Sequence, residues 1–595
     1  MSARLALLPV LALSLGTLRM TAASEARPEE PIVLPPFLVE DRQTTSVVSR
    51  LDWLYYEDGG FEVLSACPED ETRQFIRNLR DQRAALSQFI PEGFLPRSAL
   101  PTTLILFPKS QKAEMDEQMV KEMERMPLDS KAVGHLIPMD DLRLSDPDSN
   151  YIFVVLDDWQ WGWDIRHGYP KGRGAALFYS PPYLRYLIES RAPALPDWFT
   201  VGIVRLYELM TFRSMAAGTI TFDRTVPVLA PGNPWQDSEF QMDPWMSPAA
   251  AAALRESPRA PRPLLPMREL FVPVLAKDRS DEYRRVWESQ AELFVRWAFS
   301  KGPTAGRDRL RKLVEAASTH PLTEAVFESC FEMSYSDARD RLSDYLPAAV
   351  SKPLPFAYEA VPADSAPVEL RDAKPEEIRG IKGEWARRTL RVVRTNYPEG
   401  LPLYEAKARG LLQGAYDRGG RDPRLLASLA LFRLDVGDAN GARRLLEENP
   451  AAATARPLAG LELAKLRMKD ATDGPAGQRG KLSEQQARMI LGGLGASFWG
   501  PAPMEAACNL AARVCLRLAG DPTEEMRLRL NQGARLYPRN AQMLMECVAW
   551  DLRAGDFSAA RGLIELGAYE TSDEPTRQKF GLLEDLARAT SIPSS

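Results

Sequence analysis

The feature that most restricts what this chain can become is a proline-rich stretch from Pro353 to Pro375, which also holds Pro355, Pro362 and Pro367. Proline has no backbone N–H to donate and its φ is fixed, so such a stretch fits neither a helix interior nor a central strand. It reads as an interdomain linker, and the sequence changes character across it. Before it, short β-branched apolar runs alternate with helix-length segments. After it, helical patterns follow one another to about Thr590. At 595 residues the chain has room for about two to four cores. The expected division is 1–23, a signal peptide; 24–47, an extended tether; 48–350, a first domain; 351–375, the linker; and 376–595, a helical-repeat domain.

Met1 to about Ala23 has the three parts of a secretory signal: a basic start at Arg4, an apolar run from Leu5 to Leu18, and small residues at Thr21, Ala22 and Ala23. A membrane-crossing helix needs roughly 20 apolar residues. Gly16 and Arg19 interrupt this run before that length, so export to the periplasm or the exterior is expected, with no membrane span. A formal net charge of -6 and the lack of a polybasic tail argue against nucleic acid or an anionic membrane as partner. Cys67, Cys330, Cys508, Cys515 and Cys547 are too few and too scattered for a disulfide framework. Cys508 and Cys515 lie about two turns apart on one helix face, beyond bridging distance, and are expected as small buried hydrophobes. No two of His135, His167 and His320 have the spacing of a metal-ligand or catalytic pair.

Within the first domain, Phe61 to Ser65 reads as a strand, Glu69 to about Ile90 as a helix, and Thr102 to Phe107 and Tyr151 to Leu156 as buried strands. Helices dominate from about Tyr183. Between Asp223 and Pro266 a second proline-rich interval reads as a long surface excursion, after which helices resume to Leu346. Beyond the linker, Leu425, Leu429, Phe432 and Val436 mark one helix face. Gly437-Asp438 ends that helix, and Ala442, Leu445 and Leu446 open the next. The same order returns at Leu544, Cys547, Val548 and Leu552, then Gly555-Asp556, then Ala559, Ala560, Leu563 and Ile564. Helix, Gly-Asp turn and small-residue helix resembles tetratricopeptide-type repeats, in which Ala lets paired helices approach closely. The two copies are not a whole number of standard repeats apart, so the intervening repeats are irregular or the region is a non-repetitive bundle.

The first domain also shows a sequence of short stretches in a telling order. Phe61 to Ser65 and Thr102 to Phe107 are followed by Tyr183 to Ile188 and by Leu195-Pro196-Asp197-Trp198-Phe199-Thr200-Val201-Gly202-Ile203. Leu265 to Phe271, Ser289 to Val295, Phe327 to Phe331 and Tyr335 to Arg339 close the series. Together they resemble the peptidase MA-like domain of exported gluzincin zinc metallopeptidases, and the resemblance implies an α+β first domain with a mostly helical second half. In that family a helix carries His-Glu-x-x-His, which binds zinc and supplies the general base. The next helix, entered through Leu-Pro-x-Trp-x-x-Glu-Gly, supplies a third ligand. Here the first motif falls on Pro181 to Arg185, or on Pro182 to Tyr186, and the third ligand on Val201. A catalytic zinc needs three protein ligands and an open position, and none of the three is present at the matching places. The expectation is a retained scaffold with no metal or other cofactor.

Other catalytic grammars are missing as well: there is no Gly-x-Ser-x-Gly, no phosphate loop, and no Cys with a plausible His partner. Gly172-Arg173-Gly174 reads as a turn, and Asp157, Asp158 and Asp164 have no second signal for glycoside chemistry. Trp159, Trp161 and Trp163 alternate at strand spacing, so they either wall a groove for an extended peptide or sugar, or pack a sheet edge. With Tyr183, Arg185, Tyr186, Trp198 and Arg205 they make up the candidate ligand groove, Arg185 and Arg205 falling near the vacated metal position. The expected function is that of an exported, non-catalytic scaffold that binds a protein or peptide through its helical repeats. The competing expectation is an active hydrolase working from a displaced or non-zinc centre.

Overall fold

The computed structural model describes residues 53–58, 61–90, 102–108, 141–156, 181–189, 193–208, 210–214, 219–222, 264–271, 280–300, 305–318, 322–357, 367–396, 398–472, 481–500, 503–518, 523–571 and 573–591. The described residues are mostly helical, with a small mixed sheet in the N-terminal part and a helical C-terminal half. In chain order the strands are β1 (Leu54–Asp58), β2 (Phe61–Ser65), β3 (Thr102–Pro108), β4 (Asp141–Asp146), β5 (Ser149–Leu156), β6 (Met210–Ser214), β7 (Thr219–Phe222), β8 (Leu354–Ala357) and β9 (Arg371–Asp372). One sheet runs β4-β5-β3-β2-β1-β9 and a smaller one β6-β7-β8. In the larger sheet β2, β3 and β5 are parallel, while the hairpins β1/β2 and β4/β5 add antiparallel edges.

A parallel sheet must be covered on both faces, and side chains alternate between the faces along each strand. Val63, Leu104, Leu106, Ile152 and Val154 turn one way. They share a core with Phe75, Ile76 and Leu79 of helix α1 (Glu69–Phe89) and with the helices that follow: α2 (Pro181–Glu189), α3 (Asp197–Glu208), α4 (Met267–Phe271), α5 (Asp281–Ser300), α6 (Ala305–Ala317), α7 (Glu324–Phe331) and α8 (Tyr335–Ser351). Leu64, Ile105, Phe107 and Phe153 turn the other way, and the helix that covers them comes from beyond the proline-rich stretch. It is α9 (Pro375–Asn396), which applies Ile381, Trp385 and Val393 to that face.

The strands read from the sequence at Phe61, Thr102 and Tyr151 are present, as is the helix from Glu69. The expected linker is built differently. Its residues supply β8, which pairs with β7, and β9, which pairs with β1, and the Ala373 N–H donates to the Trp53 carbonyl at 2.7 Å. Both are edge strands, where a proline needs no ladder partner on its outer side, and this is how Pro355 fits into β8.

Helices then run to the end of the described chain: α10 (Leu401–Asp417), α11 (Pro423–Asp435), α12 (Ala439–Glu448), α13 (Pro450–Ala455), α14 (Pro457–Thr472), α15 (Glu484–Leu494), α16 (Ala496–Trp499), α17 (Glu505–Arg517), α18 (Glu524–Leu536), α19 (Ala541–Ala554), α20 (Phe557–Glu570) and α21 (Glu574–Ser591). Successive helices pack on one another around one continuous apolar core. The two Gly-Asp turns have the same local geometry. Gly437 and Gly555 take φ of 87° and 81°, a region that costs other L-residues about 1–2 kcal/mol. Each following Asp then caps a helix: Asp438 accepts from the Gly441 N–H at 2.8 Å and Asp556 from the Ala559 N–H at 3.0 Å. Ala442 and Ala560 are fully buried, as close helix approach demands.

All five cysteines are free, and Cys508, Cys515 and Cys547 lie within the array core. Burial pushes the Cys508 and Cys515 thiols up to about 12, which suppresses the reactive thiolate. No helix among the described residues is long and apolar enough to cross a membrane.

Helix α19 also carries two buried carboxyls. Glu546 accepts from Gln542 at 3.0 Å and Asp551 from Asn531 at 3.1 Å, and each has a second oxygen without a hydrogen-bond partner. Burial pushes Glu546 up to about 7 and Asp551 up to about 6, more than Arg513 and Arg517 beside the first, or Asn531, Arg527 and Arg535 beside the second, pull them down. An acid whose folded-state value is raised binds its proton more tightly in the folded protein, so its contribution is full at low pH and is lost as pH rises through the folded value. The expected result is that Glu546→Gln gains stability over the parent as pH rises from about 5 to about 8. Denaturant midpoints of the two proteins across that range check it; a difference that is flat with pH contradicts the assignment.

Candidate functional site

The segments singled out in the sequence for a vacated metal position lie on α2 and α3, which pack with α5. Helix α2 begins on Pro181 and Pro182, which a first helical turn accommodates because its N–H groups have no intrahelical partner. Leu184 and Ile188, four apart, are buried in the core shared with α3, while Arg185 faces outward. Tyr183 and Tyr186 lie on the same helix. Helix α3 starts at Asp197, where the Pro196 carbonyl accepts the Phe199 and Thr200 N–H groups at 3.0 Å. At Gly202 the helix runs against α5 so closely that a Cβ would stand 2.6 Å from the Ala291 carbonyl oxygen. Glycine here is a requirement of backbone contact between the two helices.

Two of the candidate groove residues are thereby placed in the interior. Trp198 is 2 % exposed and meets Phe199, Phe271 and Phe294 edge-on, with ring centroids 5.9, 5.2 and 5.4 Å away. Its indole N–H has no hydrogen-bond partner, so its role is apolar and aromatic packing. Arg205 is buried and pairs with Glu288 of α5 at 2.9 Å, tying α3 to α5 in the same seam as Gly202. Val201, which the sequence resemblance sets against a third ligand, packs partly buried on this core. Trp159, Trp161 and Trp163 lie outside the described residues, as do the three histidines. Among the described residues no group of three or more His, Cys, Asp and Glu side chains is placed to hold a metal ion. Of the candidate set, then, the structure brings Trp198 and Arg205 together on one buried helix and leaves Arg185 on the surface.

Among the described residues a dense set of charged groups lies elsewhere, where the β4/β5 hairpin meets the array. Asp146, Asp148, Glu384 and Asp435 face Arg387, Arg388, Arg391 and Arg456. Glu384 Oε1 receives Arg387 at 2.7 Å, Arg388 at 2.8 Å and Arg456 at 3.0 Å. Arg387 also reaches Asp435 at 2.8 Å and pairs with Asp146, which Arg391 meets from the rim at 2.7 Å. Arg456 grips Asp148 with two nitrogens at 2.9 and 3.0 Å, and the Leu458 N–H donates to the same carboxylate at 3.0 Å. Arg388 donates to the Leu144 and Ser149 carbonyls at 2.9 and 2.8 Å, its guanidinium 4.4 Å from the Tyr151 ring centroid. Burial pushes the Glu384 carboxyl up, but Arg387, Arg456 and Arg388 outweigh it and hold it well below the usual range. Burial likewise pushes Asp148 up, and Arg456 and the Leu458 N–H pull it below its ordinary value.

A second buried contact crosses the same boundary: Glu62 of β2 accepts from Tyr55 at 3.0 Å and Thr103 at 2.6 Å and pairs with Arg424 of α11. Among the described residues these carboxylates are engaged mainly by arginines, with the Leu458 N–H added at Asp148 and the Tyr55 and Thr103 hydroxyls at Glu62. The clusters hold the two halves together. Glu384, Arg387 and Arg388 read from sequence as ordinary charges on a helix. The available signal was their i, i+3 and i, i+4 spacing around Trp385, which puts charge and a large aromatic on one crowded segment.

The array offers the remaining candidate surface. Among the described residues its exposed large apolar side chains are Met489, Trp499, Leu528 and Leu582, distributed over α15, α16, α18 and α21. Aromatic and Met side chains of this kind are over-represented at protein interfaces. No family model, curated protein or solved structure matches the chain.

Proposed function

We propose that the chain is an exported, non-catalytic protein with a peptidase MA-like first domain, whose tetratricopeptide-like array is a docking platform for a protein or peptide. The observation that carries this reading is the recurrence of one turn. Gly437-Asp438 and Gly555-Asp556 adopt the same left-handed glycine and Asp cap, each between two helices that pack through a fully buried alanine. Stacked helix pairs of this kind present an extended surface that accommodates peptides and partner proteins. The non-catalytic part rests on Pro181 to Tyr186 and Val201, which carry none of the side chains a gluzincin zinc and its water require. Export rests on Arg4, the apolar run to Leu18 and the small residues up to Ala23.

The test is metal analysis of the purified full chain, paired with hydrolysis and binding assays on one displayed peptide library. The expected outcome is no bound zinc, no cleavage, and saturable retention of a subset of peptides that weakens in Trp499→Ala. Stoichiometric zinc with cleavage abolished by a chelator overturns the reading in favour of a hydrolase. Absence of both cleavage and retention overturns the docking role.

A further inference from the structure

Among the described residues the array meets the first half of the chain around α9 and the Arg424 and Arg456 pairs and, apart from these, near α19 and α20, and the two contacts differ in kind. The near contact is broad and buried: Ile381, Trp385 and Val393 against the sheet, with the arginine–carboxylate cluster of Glu384 beside them. The far contact is narrow and polar. Arg539, in the turn before α19, lies 2.7 Å from Asp197 at the start of α3, donates to the Leu195 carbonyl at 3.4 Å, and sits 3.6 Å from Glu570 of α20. One residue before Glu570, the Tyr569 hydroxyl accepts the Leu322 N–H at 3.1 Å, just ahead of α7. The Arg539 and Asp197 side chains keep 34 % and 24 % of their exposure. At this end the buried apolar side chains of the two halves fall into separate clusters.

We propose that the far end of the array is a clasp: α18 to α20 close on the first turn of α3 and on the Leu322 segment through Arg539 and Tyr569, and they open while the α9 contact stays shut. A contact whose ties among the described residues are one partly exposed ion pair, a 3.4 Å hydrogen bond from the same Arg539 to the Leu195 carbonyl and one neutral hydrogen bond is weak and salt-sensitive, whereas the near contact is shielded from solvent. Local opening follows the contacts with least buried apolar surface. Opening would uncover the Leu195 to Trp198 turn and the array surface that faces it. The inference goes beyond the docking role, because it concerns movement within the chain and stands whether or not a peptide binds.

Hydrogen exchange on the full chain tests it, with each contact broken and the effect read at the other. Arg539→Ala is read at the Leu322 amide, which Arg539 does not touch. Tyr569→Phe is read at the Phe199 and Thr200 amides, which Tyr569 does not touch. A single clasp predicts that both distant readouts speed up about two- to fivefold, the factor a partly exposed pair carries, while amides of 381–393 and 150–154 are unchanged. Restoration by Asp197→Arg with Arg539→Asp supports the pairing. The unaltered protein should show the same acceleration in about 1 M salt, where the screening length falls to about 3 Å, so the test survives a variant that folds poorly. Changes confined to the altered site, or acceleration at 381–393 as well, overturn the proposal: the first means two independent contacts, the second a single rigid body.

Discussion

Glu384→Ala is expected to lower the unfolding free energy by about 3–5 kcal/mol, one of the two largest effects foreseen for a single substitution in this chain. Glu384 is fully buried and accepts from Arg387, Arg388 and Arg456. Its removal leaves three guanidiniums clustered out of water with less negative charge to balance them. Breaking a buried pair is more damaging than the pair is stabilising, since the stranded charge keeps its desolvation penalty after its partner has gone. Glu384→Gln, which retains the shape and part of the acceptor capacity, should fall between alanine and the parent. Denaturant unfolding followed by tryptophan fluorescence measures both, with Trp385 on the same helix as a reporter. A loss below about 1 kcal/mol for the alanine variant would place this cluster among surface-type ion pairs.

Trp198→Ala is expected to cost a similar amount, about 3–5 kcal/mol, by opening a cavity among Phe199, Phe271 and Phe294. Trp198→Phe should cost distinctly less, because the indole N–H makes no hydrogen bond to lose. Thermal or denaturant unfolding gives the magnitudes. The peptide library gives the discriminating result: a core residue changes stability and leaves retention by the folded protein as it was, whereas a groove residue changes retention first. Loss of retention in the phenylalanine variant at unchanged stability would return Trp198 to the binding surface.

Much of the architecture was legible because it rests on short-range patterns. The runs at Thr102 and Tyr151 are apolar and rich in β-branched residues, as a covered parallel strand requires on both faces, and Phe61 to Ser65 shows itself by its alternation. The Gly-Asp turns were equally readable, since a left-handed glycine followed by an Asp cap is written in adjacent residues. What was not legible depends on partners distant in sequence. β4 escapes notice because Asp141 to Asp146 is half charged, and it is recognisable only once paired with β5 across the Pro147-Asp148 turn. β8 and β9 sit in a stretch whose prolines argue against strands, and edge positions lift that objection. In the candidate site, Trp198 and Arg205 carry the residue types of a groove. Only the packing of α3 on α5, signalled faintly by Gly202, shows them turned inward.

The crossing of α9 onto the sheet bears on how the gene can be cut. A fragment ending anywhere in the proline-rich stretch would leave Tyr55, Leu64, Ile105, Phe107 and Phe153 without Ile381, Trp385 and Val393 above them. A fragment ending before Arg371 would also leave β1 without the β9 edge. Such a surface is sticky on its face and unpaired along its rim, the two conditions under which sheets associate with one another. The boundary that composition advertises is thus a poor place for a truncation, and a fragment that keeps the sheet soluble must carry α9 with it.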